Sequence, residues 1–124
     1  MSTLIAVFLG GGTGAVIRYL ISKLISFIYV GTLPFATIVA NIIACFIMAI
    51  VLFWFNDSKI ISDQTKLFLV VGFCGGLSTF STFSIETFNL IKDGNVYWAI
   101  FNVTVSVFVC LLIVFFISKK GNLL

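Results

Sequence analysis

The densest chemistry in the chain lies in one run, Gly75-Gly76-Leu77-Ser78-Thr79-Phe80-Ser81-Thr82-Phe83-Ser84. Glycine and short hydroxyl side chains both favour alternatives to the helix, so a break is expected near 75–79. At such a break, in apolar surroundings, freed carbonyls can hold a cation and half-helix N-termini can face an anion. Phe80 and Phe83 stand three residues apart, about 60° from each other on a helix. A phenyl ring has a positive edge, so the pair can meet an anion without offering it a full charge. Most of the 15 phenylalanines pack or meet lipid; this pair differs in being surrounded by hydroxyls.

Other polar groups fall on helical faces. Thr37, Asn41 and Cys45 share one face by i, i+4 and i+8 spacing, and Asn102, Ser106 and Cys110 repeat the pattern. Asn41 offers two donors and an acceptor, serving either an interhelical bond or a ligand. Glu86 follows Thr82 by four positions and reads either as a partner of the hydroxyls or as a proton-relay carboxylate. Arg18 either snorkels to an interface or makes a vestibule electropositive. Cys45, Cys74 and Cys110 lack CxxC spacing and the chain has no histidine, so they read as small buried hydrophobes rather than metal ligands. No nucleophile–base pair or phosphate loop is visible, and no enzyme activity is expected.

The elements that position these groups follow from composition. Of 124 residues, 61% are hydrophobic and 9% charged, with a mean hydropathy of +1.28. So few charges cannot coat a small soluble domain, and lipid is the expected solvent. A crossing needs roughly 20 apolar residues. Stretches 4–29, 34–55, 66–91 and 96–117 qualify, predicting an all-α polytopic membrane protein of one domain, 1–124, with a broken third helix. Pro34 suits the first turn of the second helix. Glycines at 10, 11 and 12 and the absence of a basic leader predict no cleaved signal peptide. Short connections predict antiparallel neighbours in sequence, and Gly10/Gly14 and Gly72/Gly76 would let helices approach closely.

The net charge of +3 forms no cluster able to follow a nucleic-acid backbone. Lys59, Lys66, Lys119 and Lys120 fall on one side of the membrane, against Lys92 and Lys23 on the other, or three with Arg18. So weak a bias is compatible with insertion both ways and an antiparallel homodimer. Four helices also fill their own centre, so a solute path calls for a second subunit.

The stretch Gly11-Gly12-Thr13-Gly14-Ala15 with Arg18-Tyr19, Asn41, and the run from Gly75 to Phe83 together resemble the Fluc (CrcB) fluoride-channel family. The resemblance covers essentially the whole chain. It implies a fluoride-selective channel in the bacterial inner membrane, exporting toxic fluoride passively through two pores of a dual-topology homodimer. It further implies a central sodium ion on the backbone carbonyls of Gly75 and Ser78 from both subunits. By position, Asn41, Phe80 and Phe83 match the pore, and Ser81, Thr82 and Glu86, with Thr37, match a polar region beside it. Arg18 matches a vestibule, and Asn102, Ser106 and Cys110 a polar track. The track often has an aromatic hydroxyl where this chain has Asn102, and a serine where it has Cys110. A proton-coupled exporter using Glu86 and a non-transporting assembly subunit are the competing readings.

Overall fold

The computed structural model describes residues 2–55 and 60–121. Among them, four helical spans are long and apolar enough to cross a membrane, at Thr3–Ile28, Phe35–Trp54, Asp63–Lys92 and Val96–Gly121. The protein is therefore all-helical and multi-pass. Of the charges expected in the middle connection, Asp57 and Lys59 lie outside the described residues.

Local signals fix the ends. Ser2 caps α1 (Thr3–Ile28), accepting from the Ile5 N–H at 3.4 Å. Pro34 stands just before α2 (Phe35–Trp54), and its carbonyl accepts the Ile38 N–H at 3.1 Å. Ser62 caps the third crossing through the Thr65 N–H at 3.2 Å. That crossing starts as α3 (Asp63–Lys66), widens to π-helical pitch over Leu67–Cys74, and tightens again in α4 (Gly75–Leu77). It resumes as α5 (Phe80–Lys92) and stops at Gly94, whose φ of +79° admits the left-handed turn. Asn95 N–H then bonds Leu90 C=O at 2.8 Å and Gly94 N–H bonds Ile91 C=O at 3.1 Å, a Schellman closure that turns the chain into α6 (Val96–Gly121).

The expected break spans 75–79, and the structure confines it to Ser78 and Thr79. Gly75–Leu77 stays helical, and Ser78 N–H still bonds Cys74 C=O at 2.9 Å. Ser78 and Thr79 are extended, with ψ of 157° and 121°.

Helices adjacent in sequence run antiparallel, as expected, but the tightest packing joins alternate helices. Gly10 meets Phe68 and Gly72 while Gly14 meets Phe73 and Leu77, so α1 runs parallel to the first half of the third crossing. Cys45 and Cys110, then Trp54 and Ile117, pair α2 with α6 in the same parallel sense. The reason is closeness: Gly10, Gly14, Gly72 and Gly76 place backbone on backbone, which only residues without a Cβ allow. A Cβ on Gly14 would fall on the Phe73 carbonyl and within 2.8 Å of the Leu77 nitrogen. Neither is a flexible side-chain end. Gly14→Ala should therefore cost about 1–3 kcal/mol in reversible unfolding in detergent. Gly12→Ala, whose Cβ meets nothing within 4 Å, should cost far less. Equal costs would show that the α1 contact does not hold the bundle.

Ala40 and Ala44 of α2 press against Cys74 and Leu77, and these form the core. Large side chains such as Phe8, Phe27, Val30, Phe108 and Phe116 point outward, the inverse of a water-soluble protein.

Candidate functional site

The break is held by one side chain. Asn41 Oδ1 accepts the Thr79 N–H at 2.8 Å, and Asn41 Nδ2 donates to the Thr79 carbonyl at 3.3 Å. A carboxamide thus replaces the helical partners that Thr79 loses, which an interruption at membrane depth requires. Thr79 Oγ1 in turn caps α5, accepting the Thr82 N–H at 3.2 Å, and it donates to Thr82 Oγ1 at 3.1 Å. Its third neighbour is Ser81 Oγ at 3.3 Å. Among the described residues, one amide proton of Asn41 has no bond and is open to a ligand.

Three cavities meet in series around this point. The first, of about 260 Å³ and at the break itself, is lined by Asn41, Cys45, Ser78, Thr79, Phe80, Phe83, Ser106, Val107 and Cys110. Thr79 is shared with a second of about 260 Å³, formed by Arg18, Tyr19, Ser22, Ala36, Thr37, Thr82 and Glu86. Ser22, Ala36 and Glu86 continue into a third, of about 200 Å³, which reaches Gly31 and Thr32 in the α1–α2 connection. The series runs from the α1–α2 connection to the break in the third crossing.

The sequence-selected residues divide between these spaces. Phe80 and Phe83 form a ring pair with centroids 5.6 Å apart and planes at 34°. Phe80 is 79% exposed. Thr37 Oγ1 donates to Glu86 Oε1 at 2.9 Å, while Glu86 Oε2 is buried and unpartnered among the described residues. Of the expected inner group, Asn102 stands apart. It is fully buried and lines none of the three cavities; its Nδ2 donates to Thr87 Oγ1 at 2.9 Å and its Oδ1 accepts from Ser106 Oγ at 3.3 Å. Thr87 passes the chain on to the Phe83 carbonyl at 2.8 Å. Ser81 is exposed and touches this system only through Thr79. Gly75 lies outside the cavities, on an exposed face.

Sequence reasoning missed Thr87, Ser22 and the pairing of Cys45 with Cys110. Thr87 was findable, standing one turn beyond Phe83 on the same face. The cysteine pair needed the α2–α6 register, which no spacing within one helix supplies.

The chain matches the family model described as "CrcB-like protein, Camphor Resistance (CrcB)" over residues 5–117. The chain belongs to the CrcB family. CrcB relatives include a fluoride-specific ion channel FluC of Enterobacter sp. (strain 638), 43% identical over 106 residues, 86% of this chain and 83% of the relative. Another FluC, of Klebsiella pneumoniae (strain 342), is 43% identical over 103 residues, 83% and 80% of the two chains. A third, of Salmonella arizonae, is 40% identical over 106 residues. These CrcB relatives are named ion channels and not enzymes.

Proposed function

We propose that this chain is a fluoride-selective channel that exports fluoride passively across the bacterial inner membrane. The observation that carries this reading is the cavity series, which leads past the Arg18–Glu86 space to a point where Asn41, Thr79 and the Phe80–Phe83 edges converge. Fluoride is small and strongly hydrated, so its path must replace water with donors and yet release the ion. A free amide proton, the hydroxyl of Thr82 and two ring edges offer partial positive charge without a lysine or arginine to hold the ion fast. Arg18 raises the anion concentration at the entrance. Ser81 and the Asn102–Ser106 track steady the path, with Cys110 in its wall.

The working unit in this reading is a dual-topology antiparallel homodimer with two pores, each protomer one four-helix domain. An exposed serine at membrane depth is costly, and Ser81, Gly75 and the outward Phe80 share that condition. A second copy covers them. At its axis a sodium ion sits on the carbonyls of Gly75 and Ser78. These fit a hard cation: the Thr79 N–H, which a continuous helix would give to the Gly75 carbonyl, goes to Asn41 instead. When bound, sodium supplies a fixed positive field.

Efflux from liposomes tests the proposal. Purified wild type should release fluoride rapidly and chloride barely, and Phe80→Ile should cut fluoride release at least about tenfold, the equivalent of 1.4 kcal/mol. Replacing all sodium by N-methylglucamine should lower the flux of wild type. Folded protein that moves neither anion would defeat the channel reading, and sodium-independent flux would defeat the ion site alone.

A further inference from the structure

Two thiols from different helices meet in the wall of the cavity at the break. Cys45 of α2 and Cys110 of α6 both line it, close enough for each to act on the other electrostatically. Both are unoxidised and half-buried, whereas Cys74, the remaining cysteine, is buried in the core. The parallel α2–α6 contact fixes their register: Trp54 Nε1 donates to the Ile117 carbonyl at 3.4 Å near the ends of both helices. The thiols are thus held as a pair, and the pair faces a cavity of about 260 Å³ with Phe80, Phe83 and Val107 around it.

We propose that Cys45 and Cys110 form a dithiol site for soft, thiophilic ligands that take two sulfurs, of which trivalent arsenicals are the type, and that its occupation closes the path. Sulfur ligands select soft centres, and a pair already in place spares the ordering of two side chains. Cys74 also interacts with Cys45, but it is buried against Ala40, Ala44 and Leu77 and does not line the cavity. The chemistry balances without an oxidant. Phenylarsine oxide condenses with two thiols, the As=O bond and two S–H bonds break, two As–S bonds form, and the oxygen leaves with both protons as water. The phenyl ring falls among Phe80, Phe83 and Val107, and the arsenic lies beside Asn41. Capture of the arsenical stands on the thiol pair alone, while closure of the path rests on the channel reading above.

The test treats wild type, Cys45→Ala, Cys110→Ala and Cys74→Ala in liposomes with phenylarsine oxide. Intact mass, reactive thiol count and fluoride efflux are then read, each variant compared with its own untreated flux. Wild type and Cys74→Ala should gain one arsenical, lose two reactive thiols and lose at least about 90% of their flux, a tenfold change. Cys45→Ala and Cys110→Ala should gain no stable adduct and keep their flux. Fluoride-conducting wild type with all thiols still reactive would overturn the proposal, as would an adduct that persists in Cys45→Ala. An adduct without loss of flux would overturn the closure. If untreated protein moves no fluoride, the channel reading fails, and the mass and thiol count still decide the site.

Discussion

Asn41→Asp should reduce fluoride efflux further than Asn41→Ala, by more than any difference in stability accounts for. The two substitutions separate the roles that the asparagine combines. As a brace, Asn41 must accept the Thr79 N–H at 2.8 Å, which an aspartate carboxylate still does, and donate to the Thr79 carbonyl at 3.3 Å, which a carboxylate cannot. Alanine leaves both the N–H and the carbonyl of Thr79 without partners, at about 1–3 kcal/mol for each buried group. Aspartate keeps the first bond but sets a buried carboxylate oxygen against the carbonyl, so both variants should lose stability. As an anion ligand, Asn41 offers the amide proton that Thr79 does not use. Alanine removes that donor, a loss of about 1.5–3 kcal/mol for a bond to a charged partner, or about 10- to 100-fold in flux. Aspartate puts a negative charge there instead. Two like charges about 4 Å apart at an effective dielectric of about 20 repel by about 4 kcal/mol, close to a thousandfold. Flux, measured on the same preparations as unfolding, should therefore be far lower for aspartate than for alanine, while their stabilities differ much less. If flux only follows stability in the two variants, Asn41 is only a brace.

The crossings could be read in advance because lipid imposes one demand on every residue. Stretches 4–29, 34–55, 66–91 and 96–117 each agree with a helix to within a few residues at either end. The partnering of the helices was harder to see. Glycines spaced by four appear in many membrane helices, and only the structure shows Gly10 and Gly14 laid along the third crossing instead of against a copy of α1. The π-helical stretch Leu67–Cys74 had no signal, because its apolar side chains look the same at either pitch. We have no physical account of why the widening falls there.

Within the site, legibility followed the range of the interaction. The hydroxyl-rich run showed that the third helix must break, since that follows from local propensity. It did not show where, because the position depends on Asn41, 38 residues away in sequence, reaching Thr79. The two glycines pointed to unwinding at Gly75 and Gly76, yet a Cβ on Gly76 would strike the Gly11 carbonyl. Gly76 is glycine for contact, in a turn that stays helical. Likewise the spacing of Asn102, Ser106 and Cys110 marked one face of α6, but not that the first is sealed away while the third meets Cys45.

That sealed residue gives the second large effect. Thr87→Val should destabilise the protein more than the double variant Thr87→Val/Asn102→Leu does. Valine matches threonine in shape but leaves the Asn102 amide, fully buried, with no acceptor where it had one at 2.9 Å. That costs about 1–3 kcal/mol, whereas replacing both partners by apolar groups is close to neutral. Ser106 loses its contact at 3.3 Å with Asn102 Oδ1 in the double variant and can turn to the backbone carbonyl one turn before it. The cycle should therefore give a coupling of at least about 0.5 kcal/mol, measured by reversible unfolding in detergent. Fluoride efflux then distinguishes scaffold from pathway. The network ends on the Phe83 carbonyl at 2.8 Å, so its loss frees α5 to shift the ring pair against α6. If Asn102 serves only the scaffold, flux should recover in the double variant along with stability. If the polar chain from Ser106 to Phe83 sets the edges that the anion meets, the double variant will be stable and still at least about tenfold slower than wild type. We expect the second result, because an apolar pair restores packing but cannot bond Ser106 or orient Phe83.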